Sequence, residues 1–395
     1  MRSSSAFSRK CIKLMNKILS YFLLVALSVA LTGCGCEGDP SDEEEVVVPD
    51  PVTSVSFAKG ADISWASEML SKGITFKDGK GAEGIFPVLK NLGMNSIRLR
   101  VWVNPIGGSS WSGQADLVNM AKQARAAGMA IMVDFHYSDI FADPGRQTIP
   151  SAWSSYSGDV SKVASAVSSH TVTVLNALKA AGVIPAWVQV GNETDNGMVW
   201  PAGKIDWENK SGSARYSDYV AVSNAGYDAV KQVFPDTPVI VHISNAASAG
   251  DYDGWFFKEF KQAGGKFDII GLSHYPMSDS KKSWSEMNSA AISSIKTLSA
   301  KQSCKVMVCE VGVKPSSSDA GACIKAFMNS VKALGTGVCA GVFYWEPEVD
   351  GKWKPDIYSK SGLVCSGWGA YDMGAFTSSG SAFSPITSIL GCFSE

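Results

Sequence analysis

The run Ala130-Ile131-Met132-Val133-Asp134-Phe135-His136 is apolar for four residues and then ends in an acid, an aromatic and an imidazole, and the rest of the chain repeats this pattern. Gly60-Ala61-Asp62-Ile63-Ser64 and Ser96-Ile97-Arg98-Leu99-Arg100-Val101 precede it. Trp187-Val188-Gln189-Val190-Gly191, Pro238-Val239-Ile240-Val241-His242-Ile243, Phe267-Asp268-Ile269-Ile270-Gly271-Leu272, Lys305-Val306-Met307-Val308-Cys309-Glu310 and Gly341-Val342-Phe343-Tyr344-Trp345 follow it. Short runs of this kind read as buried strands. Stretches between them, such as 116–127 and 160–181, are long enough for crossover helices, and strands alternating with helices build a parallel sheet. Eight such units predict an α/β fold, a single (β/α)8 TIM barrel over residues 57–395 whose chemistry sits at the C-terminal ends of the strands.

Polar residues collect at those ends. Asp62, Arg100 and Trp102, Asp134 and His136, Asn192 and Glu193, His242, His274 and Tyr275, Glu310, and Trp345 with Glu346 close successive strands. Side chains alternate along a strand, so Val306, Val308 and Glu310 are expected on the inner face, with Met307 and Cys309 toward the helices. By the same count Gln189, Gly191 and Glu193 share a face, and Asn192 takes the rim. Glu193 and Glu310 are then expected to oppose each other across the barrel mouth. Two carboxylates roughly 5 to 5.5 Å apart suit retaining hydrolysis of a glycosidic bond, one as nucleophile and one as acid/base. Arg100 is read as the cation that keeps Glu310 ionised, with Arg98 a structural residue one layer deeper, and Glu193 is expected to have a raised pKa. Asp62 and Asp134 lie near enough to the mouth to answer the same charge. His136 and His274 are read as rim imidazoles able to contact sugar hydroxyls, not as bases or metal ligands. The chain holds 12 Trp; Trp65, Trp102, Trp153 and Trp345 are candidates to line a cleft for sugar rings.

Lys plus Arg number 35 and Asp plus Glu 37, for a net charge of −2. Arg2, Arg9, Lys10, Lys13 and Lys17 are balanced by no acid before residue 34, so the remainder is more acidic still and lacks the basic footprint of a nucleic-acid binder. That basic start leads into an apolar run from Ile18 to Leu31, too short for a comfortable membrane span and flanked like an export signal. Leu31-Thr32-Gly33-Cys34 is similar to a bacterial lipobox, which implies a signal peptide over 1–33 and lipidation of Cys34. Residues 34–56, with the acidic stretch Glu37 to Glu45, are read as a flexible tether. The expected product is an exported lipoprotein of the outer membrane, at the cell surface, touching membrane through its lipid alone. Cys304, Cys309, Cys323, Cys339, Cys365 and Cys392 permit disulfides in such a compartment without choosing a pairing, and no spacing suggests zinc.

Gly60-Ala61-Asp62-Ile63-Ser64-Trp65, Asn95-Ser96-Ile97-Arg98-Leu99-Arg100-Val101-Trp102-Val103-Asn104-Pro105, Asp134-Phe135-His136-Tyr137-Ser138-Asp139 with Ala142-Asp143-Pro144-Gly145, and Gly191-Asn192-Glu193 resemble glycoside hydrolase family 53. The resemblance runs from about residue 57 to 350. It implies a (β/α)8 barrel and a retaining endo-β-1,4-galactanase acting on arabinogalactan side chains of pectin. It also implies Glu193 as acid/base, Glu310 as nucleophile, Asn192 at the sugar 2-hydroxyl and Trp345 stacked on the ring. Asp62, Trp65, Arg100, Trp102, Asp134, His136, His274 and Tyr275 complete the expected substrate-binding set. The resemblance departs at His274, where the family more often has an aromatic residue, and at Met277-Ser278-Asp279, which replaces an aromatic-rich loop. No cofactor is required by this chemistry. Some members hold a structural calcium, for which Asp350, Asp356 and Asp372 offer oxygen ligands. The partner expected is the polysaccharide, bound by a monomer. Rival readings are an endo-β-mannanase or endo-β-glucanase on the same barrel, and a non-catalytic glycan-capture lipoprotein.

Overall fold

The computed structural model describes residues 49–252, 256–357 and 372–395. Eight parallel strands close into a barrel: β1 (Ala58–Asp62), β2 (Ser96–Val101), β3 (Ala130–Phe135), β4 (Trp187–Val190), β5 (Val239–Ile243), β6 (Ile269–His274), β7 (Lys305–Val311) and β8 (Cys339–Trp345). Each pairs with its sequence neighbours, and β1 closes on β8 from Ala58↔Gly341 to Asp62↔Trp345. The expected strands are all present, with β1 starting two residues earlier than its apolar pattern suggested.

Helices α1 (Ile85–Asn91), α2 (Gln114–Ala126), α3 (Val160–Ala180), α4 (Ser217–Val233), α5 (Lys258–Gln262), α6 (Trp284–Gln302) and α7 (Ala320–Ala333) connect the strands. Local chemistry sets their starts. The Asp159 carboxylate accepts from the Lys162 backbone N–H at the head of α3, and Ser283 with Glu286 forms a capping box on α6. Each buries an apolar stripe, such as Val163, Val167, Val174 and Leu178 on α3, against the outer face of the sheet. Among the described residues, a short helix, Thr387–Leu390, follows β8 and packs on α7.

The barrel interior is a separate apolar cluster containing Ala58, Met132, Trp187, Ile240, Ile269, Met307, Cys309 and Phe343. Gly60 belongs to this packing because a Cβ there would stand 2.3 Å from the Phe343 ring. The cluster corrects the inward face predicted for β7. Met307 and Cys309 fill the interior, while Val306 and Val308 pack on the helices. A β-bulge restores the expected outcome for Glu310: pairing with β6 steps from Val308↔Leu272 to Glu310↔Ser273, two residues against one, which turns the next side chain into the mouth.

Val52 and Val55 pack against the inner cluster and the Pro49 carbonyl accepts from Arg125 Nε at 3.1 Å, so the last residues of the expected tether lie against the barrel. The signal segment, Cys34 and Cys365 fall outside the described residues. Cys304, Cys309, Cys323, Cys339 and Cys392 are free thiols; burial pushes Cys323 and Cys339 up to about 12.

Candidate active site

A cavity of about 730 Å³ opens at the C-terminal ends of the strands, lined among others by Asp62, Arg98, Arg100, His136, Asn192, Glu193, Tyr275, Glu310 and Trp345. At its floor the sequence places a cation on the inner face of β2, and the acids of the surrounding strands converge on it. Arg98 Nη1 lies 2.8 Å from Asp62, and Nη2 lies 2.8 Å from Asp134 and 3.1 Å from Glu310. Nη2 also donates to Asn192 Oδ1 at 2.8 Å, and Nε to Gln189 Oε1 at 3.3 Å. One guanidinium thus faces three carboxylates, and their charges raise its pKa in spite of burial. Arg98, not Arg100, is therefore the cation beside Glu310. Arg100 instead pairs with Glu346 and donates to Ser112 Oγ at 3.0 Å.

The paired acids are held differently. Glu193 follows Gly191 (φ 83°) and itself has φ 45°, so the backbone leaves extended geometry and alternation stops applying. Asn192 and Glu193 consequently both line the cavity. Asn192 is buried rather than at the rim, with Nδ2 donating to the Ala142 carbonyl at 2.8 Å. Burial and the charge of Glu310 push the Glu193 carboxyl well above the carboxylate range. Burial raises Glu310 too, against the opposing pull of the Arg98 guanidinium and of the Tyr275 hydroxyl, which donates to Oε2 at 2.6 Å. The pair therefore holds a proton most readily on Glu193. Asp134 goes the other way: burial works against its charge, but Arg98 and His136 outweigh burial and hold it below the ordinary range. His136 Nδ1 accepts from the Ala142 N–H at 2.9 Å, so Nε2 donates to Asp134 at 2.8 Å.

Several expected contacts fall elsewhere. Trp65 and Trp102 are fully buried; with Phe141 they box the Arg100 guanidinium, whose carbon lies 3.9 Å from the Trp65 ring, so they hold that cation and do not form cleft wall. Trp153 packs edge-on against half-buried His170. Trp345 does line the cavity, edge-on to Tyr275 and Phe141. Asp134 sits beneath the cavity wall as a partner of Arg98. The His274 imidazole points into the helix layer, bonding Asn288 Oδ1 at 2.8 Å and lying 4.4 Å from the Phe327 ring; burial lowers it to about 4, so it is neutral. Inner-face residues on β6 are Ile269, Gly271 and Ser273, which leaves His274 outside by alternation.

Phe141, Arg146, Asn245, Ser273, Lys314 and Met373 also line the cavity and were not anticipated; all but Ser273 stand on loops, where no periodicity marks them. His242 and Gln189 lie buried beneath, and only their inward parity on β5 and β4 signalled them. Two of the acids considered for calcium have other partners. Asp350 accepts from Ser378 Oγ and two backbone N–H groups, Asp356 pairs with Lys72, and among the described residues no group of three metal-binding side chains converges.

Residues 58–387 match the family model described as Glycosyl hydrolase family 53. An uncharacterized protein of Niallia circulans is 34% identical over 222 residues, 56% of this chain and 59% of that protein, so the alignment spans less than two thirds of that relative. A probable arabinogalactan endo-beta-1,4-galactanase A of Aspergillus terreus is 32% identical over 322 residues, 75% of this chain and 86% of its own length. A solved structure from a study of two fungal beta-1,4-galactanases is 27% identical, with a TM-score of 0.68 over 86% of this chain and 99% of that one.

Proposed function

The chain belongs to glycosyl hydrolase family 53, and from that premise we propose that it is a retaining endo-hydrolase of β-1,4-galactan side chains of pectin. The observation that carries the reading is the convergence of Glu193 and Glu310 on one cavity, with Arg98 and the Tyr275 hydroxyl held against Glu310. Glu310, oriented by Arg98 and the Tyr275 hydroxyl, attacks the anomeric carbon with its carboxylate oxygen. Glu193 gives its proton to the departing glycosidic oxygen as that bond breaks. A glycosyl ester on Glu310 results. Glu193, now ionised, takes a proton from water as the water oxygen attacks the same carbon, and Glu310 leaves as carboxylate. Two inversions retain configuration. Neither step needs a cofactor, since both charges that develop are met by side chains already present.

Asn192, pinned by Arg98 and the Ala142 carbonyl, presents its amide at the floor where a sugar 2-hydroxyl would sit. Trp345 and Phe141 offer apolar faces for the C–H surface of a pyranose. Asp62 and His136 contribute to the polar wall. Glu310→Ala in purified protein should lower reducing-end release from β-1,4-galactan by at least about 10³-fold, as expected for loss of a nucleophile. Galactan hydrolysis retained in that variant, or release from mannan or glucan with none from galactan, would overturn the assignment. The leader and Cys34 support export as a lipid-anchored surface protein.

A further inference from the structure

We infer, resting on the assignment of Glu310 as nucleophile, that Gly312 is a positioning residue: its bare Cα leaves the space in which the Tyr275 ring lies with its hydroxyl on Glu310. Tyr275 directly follows β6 and Gly312 directly follows β7, and the two strands stay paired up to His274↔Val311. The Tyr275 hydroxyl donates to Glu310 Oε2 at 2.6 Å. A Cβ on Gly312 would stand 3.1 Å from Tyr275 Cε1, the ring carbon beside the one that bears this hydroxyl. It would also stand 3.1 Å from Met373 Sδ and 3.4 Å from Met373 Cβ. Apolar atoms settle at about 3.5–4.0 Å, so a methyl group here crowds both neighbours. The Gly312 φ lies outside the left-handed region, so space and not backbone torsion excludes a side chain.

The neighbours have little room to yield. The Trp345 indole meets the Tyr275 ring edge-on at 89°, with centroids 6.4 Å apart. The Tyr344 hydroxyl donates to the Met373 carbonyl at 2.8 Å and accepts from the Val313 N–H at 3.4 Å, which ties the segment carrying Met373 to the residue after Gly312. Gly374 packs on Val349 so closely that a Cβ there would stand 2.1 Å from the Val349 carbonyl oxygen. Arg98 meets Glu310 at Oε1, so Oε2 is the oxygen that the phenol serves. The other charged groups facing Glu310 are Asp62 from β1, Asp134 from β3 and Glu193 after β4, and ionised acids only accept. Burial and the charges of Glu310 and Glu193 push the Tyr275 phenol well above its ordinary range, so it keeps its hydrogen and remains a donor.

The test is the pH profile of kcat/KM on β-1,4-galactan for wild type, Gly312→Ala, Tyr275→Phe and the double variant. Losing a donor to the ionised carboxylate raises the Glu310 pKa, so the acid limb should move up, by about one pH unit in Tyr275→Phe and about half a unit in Gly312→Ala. At the optimum Gly312→Ala should lose roughly 10-fold, as for a weakened hydrogen bond to a charged group. Added to Tyr275→Phe, Gly312→Ala should leave the limb where it was, since no hydroxyl remains to displace. Met373→Ala in the Gly312→Ala chain opens room beside the new methyl and should return the limb toward wild type. An unmoved limb in folded Gly312→Ala, or a further shift on top of Tyr275→Phe, would overturn the assignment. Should Gly312→Ala not fold, Met373→Phe crowds the same spot from the other side and carries the same two expectations. Wild type inactive on galactan would instead defeat the functional reading.

Discussion

Glu346 shows how far one residue's chemistry is set by its surroundings. It stands at the end of β8 with φ 47°, fully buried beside Arg100, and burial outweighs that guanidinium to push its pKa from 4.5 up to about 8. Between those two values the folded protein keeps a proton that the unfolded chain has released. Its contribution to stability is therefore whole below about pH 4.5 and declines as pH rises toward 8. Glu346→Gln preserves a hydrogen-bond acceptor for Arg100 and removes the titration. The fall in Tm between pH 5 and 8 should be shallower in the variant than in wild type; parallel curves in thermal scans would refute it. His170 and His274, lowered by burial to about 4, act in the opposite sense below pH 6.5, which is why the comparison must be between variant and wild type. At this scale the sequence named the acids and the arginines, but it assigned the wrong arginine to Glu310. Parity put Arg98 and Arg100 on one face alike, and only the positions of Asp62, Asp134, Glu310 and Glu346 on other strands tell them apart.

At the scale of elements, periodicity located every barrel strand, because a buried parallel strand is a short apolar run wherever it occurs. Alternation inside a strand was less reliable. The β7 bulge adds one residue to the count, so the predicted orientation of Glu310 was reached with the wrong face for Val306 through Cys309. Bulges leave no mark in a single apolar run; they come from pairing with the next strand. The same close pairing explains Gly60 on β1, whose missing side chain is replaced by the Phe343 ring of β8. Gly60→Ala should lower stability by about 1–3 kcal/mol through overpacking. Phe343→Leu in the same chain should recover part of that loss. Denaturant melts of the single and double variants measure it, and additive losses would show that the ring is not the obstacle.

For the whole molecule, the barrel bottom extends past the boundary that composition suggested. Val52 and Val55 lie in a segment whose acids and prolines read as tether, yet both cover the inner cluster. A chain beginning at Pro49 lacks Cys34 and should remain in the aqueous phase on detergent partitioning, with the melting temperature of the full-length protein. One beginning at Phe57 uncovers the cluster and should melt several degrees lower, in line with about 1–2 kcal/mol for two partly buried valines. Equal melting of the two would show the contacts to be incidental, and full-length protein in the aqueous phase would remove the anchor. What the sequence determined by itself was the strand and helix order, the closed sheet and the placing of Glu193 and Glu310 at strand ends that open on one cavity, since all of these follow from local pattern and from geometry common to parallel barrels. Only the tertiary structure decided which arginine meets Glu310, that Trp65 and Trp102 enclose a cation, and that His274 faces the helices. Those outcomes depend on distances between strands far apart in the chain, where a bulge or a single left-handed residue redirects a side chain and no local pattern records it.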